Sequence, residues 1–174
     1  GAEVIHMGHD RSAADIANSA IQEDAHAIAI TSYQGGHDLY FPYVRELLDE
    51  AGYNHVKIFG GGGGTILPHE VEKLHTQGIT KIYTPEDGRR MGLVGMIEDL
   101  VKRCDYSVLD RSDPPSLEAI QQGKDTSLAR AITFAEQDPS KIQHLLQPSP
   151  NKIPVLGITG TGGAGKSSFT DEII

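Results

Sequence analysis

Val56-Lys57-Ile58-Phe59-Gly60-Gly61-Gly62-Gly63-Gly64 is the stretch that decides the fold. Apolar residues running straight into glycine read as a buried strand whose exit loop lets something approach its backbone closely. Glycines 60 to 64 carry a high ordering entropy, because each loses more freedom on folding than any other residue. Such a loop persists where side chains would be in the way. The competing reading is a plain flexible turn.

Working outward, Ala27-Ile28-Ala29-Ile30 is a continuous apolar run, as expected of a strand buried on both faces. Leu39 to Ala51 lies between the two strands, with Tyr43, Leu47 and Leu48 at helical spacing and Gly52 as its stop. Further upstream, Glu3 to His6 reads as a short strand. Ser12 then caps a helix through Ile21, with Asp15 three residues on. Downstream, Pro68 opens a helix that carries Val71 and Leu74 and stops near Gly78. Ile79 to Tyr83 reads as a fourth strand. Met91 to Cys104 reads as a helix with Met91, Val94, Ile97 and Val101 along one stripe. Strands alternating with helices of this length predict an α/β domain, a parallel sheet with helices on both faces.

Parallel sheets bind ligands at the carboxyl ends of their strands. That rule gathers four loops on one edge: Met7 to Ser12, Thr31 to Asp38, Gly60 to Leu67, and the turn at Thr84-Pro85-Glu86-Asp87-Gly88. In the second loop, Thr31-Ser32-Tyr33-Gln34-Gly35-Gly36-His37 combines small groups that clear space with hydrogen-bonding side chains. Turn chemistry plus a helix N-cap is the plainer account of it. Facing a glycine run, a deep slot between two strand ends is the better one.

The chain has 174 residues, 38% of them hydrophobic and 22% charged, and a formal net charge of −9. That balance argues against a nucleic-acid surface, which needs a basic patch. A single cysteine, Cys104, rules out an internal disulfide framework and fits a reducing, cytoplasmic setting. No apolar run approaches the roughly 20 residues a membrane-spanning helix requires, and the first residues carry no signal-peptide pattern. The eight histidines are scattered, with no H-x-x-x-H pair and no clustered cysteines, so a protein metal site is not expected. Cys104, near a helix end, reads as structural.

From Asp105 to Asn151 the texture changes. Prolines punctuate short polar helices such as Ser127 to Glu136, in which Leu128, Ile132 and Phe134 require burial. This reads as a helical linker. A new strand is expected at Ile153 to Thr159, leading into Gly160-Thr161-Gly162-Gly163-Ala164-Gly165-Lys166-Ser167, which satisfies the Walker A form. Its backbone N–H groups would cradle phosphates, Lys166 would reach the outer ones, and the Ser167 hydroxyl would hold Mg²⁺. Gly60 to Gly64 fails the same test, since Thr65-Ile66-Leu67-Pro68 follows it with no Lys-Ser pair. It also fails as a dinucleotide fingerprint. Both ends of the sequence read as interior to a longer chain, opening on a strand-like run and closing at Asp171-Glu172-Ile173-Ile174 within a helix.

Ala27 to His37, Gly60 to Pro68 and Tyr83 to Gly88 resemble the flavodoxin-like (Rossmann-type) cobalamin-binding domain of the adenosylcobalamin-dependent acyl-CoA mutases. The continuation through a linker into Gly157 to Ser168 is similar to the fused isobutyryl-CoA mutases, in which a chaperone-type GTPase domain follows the cobalamin domain and precedes a substrate barrel. The resemblance implies a cobalamin-binding domain over residues 1–105, a helical linker over 106–151 and the start of a P-loop GTPase domain over 152–174. It implies a radical 1,2-carbon-skeleton rearrangement, isobutyryl-CoA to butyryl-CoA, coupled to GTP hydrolysis, in a longer isomerase of which this portion alone is not the active catalyst. Its partners would be an acyl-CoA bound by the barrel and a second subunit of a homodimer, with neither nucleic acid nor membrane.

The resemblance also assigns residues. Thr31, Ser32, Tyr33, Gln34, Gly35, Gly36 and His37, with Gly60, Gly61 and Gly62, would line the cofactor's nucleotide tail. Tyr83, Thr84, Pro85 and Asp87 would close over its far end, and His9, Asp10, Arg11 and Ser12 would approach the corrin. Gly160, Gly162, Gly163, Ala164, Gly165, Lys166, Ser167 and Ser168 would hold GTP with Mg²⁺. The family's lower axial ligand is a histidine in a D-x-H-x-x-G loop after its first strand. Gly8-His9-Asp10 departs from that pattern, with Met7 for the aspartate and Ser12 for the glycine. The ligand and a mid-sheet strand are therefore expected upstream of Gly1, and no axial histidine is assigned here. Two other readings stay open: a methylmalonyl-CoA mutase-type cobalamin domain, and a flavodoxin-like binding or signalling module fused to an unrelated P-loop ATPase.

Overall fold

Residues 2–111, 114–145, 156–161, 163 and 165–173 are described by the structure, a computed structural model. Helix α1 (Ala13–Gln22) leads into β1 (Ala27–Thr31), α2 (His37–Glu50), β2 (Lys57–Gly61), α3 (Pro68–Thr76), β3 (Lys81–Tyr83) and α4 (Pro85–Cys104). The strands form a parallel sheet in the order β1-β2-β3, with Ile28 opposite Ile58 and Gly60 opposite Ile82. Parallel neighbours need a crossover, and α2 and α3 supply the two. The α/β class read from the alternation is the class observed.

The helices form where local chemistry says they should. Ser12 accepts the Asp15 amide through its hydroxyl while the Asp15 carboxylate accepts the Ser12 amide, a reciprocal capping box that fixes the start of α1. Alternation along the strands then sorts side chains onto two faces. One face, with Ile28, Ile58 and Ile82, packs against Ala13, Ala17, Ala20 and Ile21 of α1, Phe41, Val44 and Leu48 of α2, and Leu74 of α3. Beneath this core the buried Arg45 donates to the carbonyls of Val56 (2.6 Å) and Tyr53 (3.0 Å), tying α2 to the entry of β2.

Residues Ala27, Ala29 and Thr31 of β1, Phe59 and Gly61 of β2, and Lys81 and Tyr83 of β3 occupy the second face. Phe59 is buried and stacks on Tyr83, whose hydroxyl donates to Asp99 of α4 at 2.9 Å. The Tyr106 hydroxyl lies 2.6 Å from the His26 carbonyl and 3.0 Å from that of His55, joining the entries of β1 and β2. So α4 covers the β2–β3 side of this face, while Ala29 of β1 stays exposed.

Four expectations need correction. Glu3 to His6 is not a strand: it pairs with nothing in the described sheet, and Val4 and Ile5 are 79% and 54% exposed. An apolar run becomes a strand only where a sheet edge lies within reach, and α1 carries the chain from this segment to a β1 whose free edge it does not meet. The turn at Thr84 to Gly88 is the first turn of α4, because Pro85 at its first position and the Thr84–Asp87 capping box start the helix early. Val94, Ile97 and Val101 are exposed, because Gly92 breaks the helix (φ 67°, ψ 174°) and the stripe does not turn onto the sheet. In α6 (Asp125–Gln137), Phe134 and Ala129 are buried but Leu128 and Ile132 are not. Those two sit four residues apart on the outer side of a helix whose inner side meets α1.

The short α5 (Leu117–Gln121) precedes α6, and α7 (Lys166–Ile173) ends the described chain. The strand expected at Ile153 to Thr159 lies partly outside the described residues; 156 to 159 are irregular and pair with no described strand. Among the described residues no helix is long and apolar enough to cross a membrane.

Candidate functional site at the carboxyl edge of the sheet

The strand exits of β1 and β2 are tied together before they diverge. The Ser32 amide donates to the Gly61 carbonyl (2.8 Å), carrying the ladder one residue past β1. The Ser32 hydroxyl donates to the Gly35 carbonyl (3.2 Å), folding 32–36 into a compact turn. Gly35 and Gly36 both adopt left-handed backbone (φ 82° and 74°), which a side chain would strain. Opposite, the Thr65 amide donates to the Gly62 carbonyl (2.9 Å), closing the glycine loop on itself.

The glycines of the run do different jobs. A Cβ on Gly60 would sit 2.5 Å from the Phe41 ring and 2.6 Å from Ile82, inside the core. One on Gly62 would fall 2.3 Å from the Ser32 carbonyl oxygen. At Gly63 it would strike the Tyr33 ring at 2.8 Å, and at Gly64 it would touch Pro85 at 3.5 Å. Gly60, Gly62 and Gly63 are therefore small because the protein packs against them. Gly61 is different. Its Cβ position meets only the Tyr83 carbonyl oxygen, at an ordinary 3.6 Å, and its φ is unremarkable. It lies on the second sheet face, beside exposed Thr31 and in register with Tyr83. The fold does not require glycine there.

Other expected residues gather around this point. Tyr33, Gln34, Gly35 and Gly36 are exposed on the edge, and the Tyr33 ring lies against Gly63. The loop of His9, Asp10, Arg11 and Ser12 reaches the same edge, since the Tyr40 hydroxyl at the start of α2 donates to the Arg11 carbonyl at 2.9 Å. His9 and Asp10 form an exposed pair at 2.7 Å, and Asp10 has positive φ (58°). Two residues turn inward. His37 is only 4% exposed, its Nε2 3.1 Å from Glu70 Oε2, so its ring faces the α2–α3 junction. Asp87 is buried, accepting from the Thr84 amide and hydroxyl and pairing with Lys81 and Arg90 at 3.1 Å each. Burial alone would raise its pKa; the Thr84 and Lys81 contacts outweigh that and hold it at about 2. It braces α4 against β3. Glu70, which the sequence did not single out, is also held below the usual carboxylate range, first by the Leu67 amide and then by His37. Its signal was present: it stands three residues after the N-cap Leu67.

The edge thus offers backbone, small side chains and open space, and among the described residues no three His, Cys, Asp or Glu side chains gather to hold a metal. A shallow groove of about 670 Å³ lies elsewhere, over α2 and α3 between Leu39, Pro42, Tyr43 and Lys73, without a buried polar anchor.

In the second motif, Gly163 and Gly165 have left-handed backbone (φ 78° and 74°), and Lys166 begins α7. Its Nζ donates to the carbonyls of Gly160 (3.0 Å) and Thr161 (2.9 Å). Ser168 is exposed; Gly162, Ala164 and the side chain of Ser167 lie outside the described residues.

Along its whole length the chain is 51% identical to a fused isobutyryl-CoA mutase of Cupriavidus metallidurans. It is 47% identical to one of Nocardia farcinica and 46% identical to one of Geobacillus kaustophilus, again over the full chain. Over its full length the chain is similar to one segment of fused isobutyryl-CoA mutases. It spans 16–17% of the length of these relatives, so within a fused mutase of this kind it is one segment. No family model matches the sequence.

Proposed function

We propose that this segment is the cobalamin-binding portion of an adenosylcobalamin-dependent acyl-CoA mutase, an isomerase interconverting isobutyryl-CoA and butyryl-CoA. The observation that carries the reading is Gly61. A glycine that neither its backbone angles nor its packing requires, on the open sheet face between two strand exits, leaves room for a ligand in van der Waals contact with the backbone. The geometry fits a bulky, largely uncharged tail. Thr31, Ser32, Gly61 and Tyr83 would lie along it, Tyr33 and Gln34 would flank it, and the loop from His9 to Ser12 would approach the corrin.

When bound, adenosylcobalamin supplies the homolytic cobalt–carbon chemistry of the 1,2-rearrangement; the protein binds and orients. No residue of this chain is assigned as lower axial ligand. The core-side glycines fix the slot's floor, and the capped starts of α1 and α4 fix its rim. The substrate, an acyl-CoA, would bind to a part of the longer polypeptide outside this segment, and the whole would act as a homodimer.

A nucleotide site at Gly160 to Ser168 is the second element of the reading. Support for it is the Walker A spacing together with Lys166, folded back onto two loop carbonyls at the start of a helix, where an outer phosphate would displace them. We assign it GTP with Mg²⁺ on Ser167, coupled to the mutase as a chaperone-type GTPase. Titrating the longer polypeptide with adenosylcobalamin, followed by its visible spectrum, tests the first site. Binding that is saturable in the wild type and lost in Gly61→Phe supports it; binding that ignores this substitution refutes the placement.

A further inference from the structure

We infer that His37 is a positioning residue that works through Glu70 to hold the two loops flanking Gly61 in register, without touching the ligand. Its consequence for binding rests on the cobalamin reading above. The loop from Ser32 to Gly36 ends at His37, the first residue of α2. The loop from Gly62 to Leu67 ends at the first turn of α3, where the Leu67 amide donates to Glu70 Oε2 at 2.7 Å. That same oxygen lies 3.1 Å from His37 Nε2. One carboxylate oxygen therefore joins the starts of both helices.

Neither helix has an N-cap side chain for this task. The N-cap of α2 is Gly36 and that of α3 is Leu67, and neither gives a side-chain capping hydrogen bond. Glu70 supplies the missing acceptor at the start of α3, where its negative charge suits the helix dipole, and the same oxygen faces the side chain of the first residue of α2. His37 is buried while the Glu70 side chain is 24% exposed, so the contact is shielded from water and salt on the histidine side alone. The imidazole approaches off the line of a good hydrogen bond, and among the described residues neither ring nitrogen has a well-aligned partner. The link is thus a polar contact between the buried imidazole and a partly exposed carboxylate at the margin of the core.

The geometry separates this role from core filling. Loss of an ordinary core side chain loosens the sheet and α2 together. Loss of this link leaves the two loops joined to each other, among the described residues, by the Ser32–Gly61 bond, the packing of Gly62 on Ser32 and Gly63 on Tyr33, and a long Thr65–Tyr33 bond of 3.5 Å, with Ile66 anchoring the second loop in the core. Gly61 lies between those loops, so their separation sets the width of the slot.

The test compares wild type, His37→Phe and His37→Gln in the longer polypeptide by amide hydrogen exchange and adenosylcobalamin titration. In His37→Phe, exchange should rise in peptides covering both 32–37 and 62–67 while those covering 44–48 and 56–59 stay protected, and affinity should fall about tenfold. His37→Gln keeps a donor and should recover most of both effects. Unchanged exchange in 62–67, exchange rising equally through the core, or no rescue by glutamine would each overturn the link. If the wild type binds no adenosylcobalamin the cofactor reading fails, while the exchange comparison still decides whether His37 ties the loops.

Discussion

Gly61 and Gly62 are neighbours in sequence, and alanine should affect them in opposite ways. At Gly62 the new methyl would lie 2.3 Å from the Ser32 carbonyl oxygen, about 1 Å inside ordinary contact. That oxygen cannot retreat cheaply, because the Ser32 amide is held to Gly61 at 2.8 Å. Overpacking against fixed backbone costs about 1–3 kcal/mol, and the rigid neighbour puts Gly62→Ala at the upper end. For a chain of this size that is a fall of roughly 6–12 °C in Tm. At Gly61 the methyl meets one atom at 3.6 Å with no backbone strain. Restricting the unfolded chain then adds about 0.4–1 kcal/mol, so Tm should hold steady or rise by up to about 4 °C. Thermal unfolding by circular dichroism reads both. Adenosylcobalamin affinity should run the other way, with Gly61→Phe losing at least about tenfold while unfolding near the wild-type temperature. Equal destabilisation by the two alanines would refute the assignment of Gly61 to a ligand.

Three further outcomes follow from the same geometry. Asp87 has a folded pKa of about 2 against an ordinary 3.8, so its contribution is fully present above pH 4 and is lost as pH falls towards 2; acid titration of stability should show on the order of 2 kcal/mol there, absent in Asp87→Asn. Arg45→Ala strips partners from the Val56 and Tyr53 carbonyls beneath the core, and urea unfolding should show a loss of about 2–4 kcal/mol. Lys166→Ala in the longer polypeptide should cut GTP hydrolysis at least about tenfold and leave mutase turnover largely intact; equal loss of both would mean the two sites are not separable.

Much of this arrangement is written locally in the sequence. Ser12 with Asp15, Pro68 ahead of Val71 and Leu74, and the apolar runs at 27–30 and 56–59 each declare an element within a few residues, and each forms where expected. The Thr84–Asp87 box carries the same kind of signal, but Pro85 and Gly88 straight after a strand have the composition of a loop. What stays illegible is non-local. Glu3 to His6 has the composition of a strand and no partner among the described residues, and the α4 stripe has the period of a packed face and no cover among them, because both properties depend on what lies opposite. The glycine run shows the limit most clearly. Its sequence is uniform, yet Gly60 answers to Phe41, Gly62 to Ser32 and Gly63 to Tyr33, none of which is near in sequence. His37 has the hydrogen-bonding side chain of a slot-lining residue, and its burial against Glu70 depends on the placement of α3, which is distant in sequence.

The measurement that bears most directly on the central claim is the spectroscopic titration of the longer polypeptide with adenosylcobalamin, in the wild type and in Gly61→Phe. Saturable binding in the wild type, lost in a variant that unfolds at the same temperature, is the predicted result. Absence of binding in the wild type, or equal affinity in the two proteins, would contradict a cobalamin slot at the open face beside Gly61.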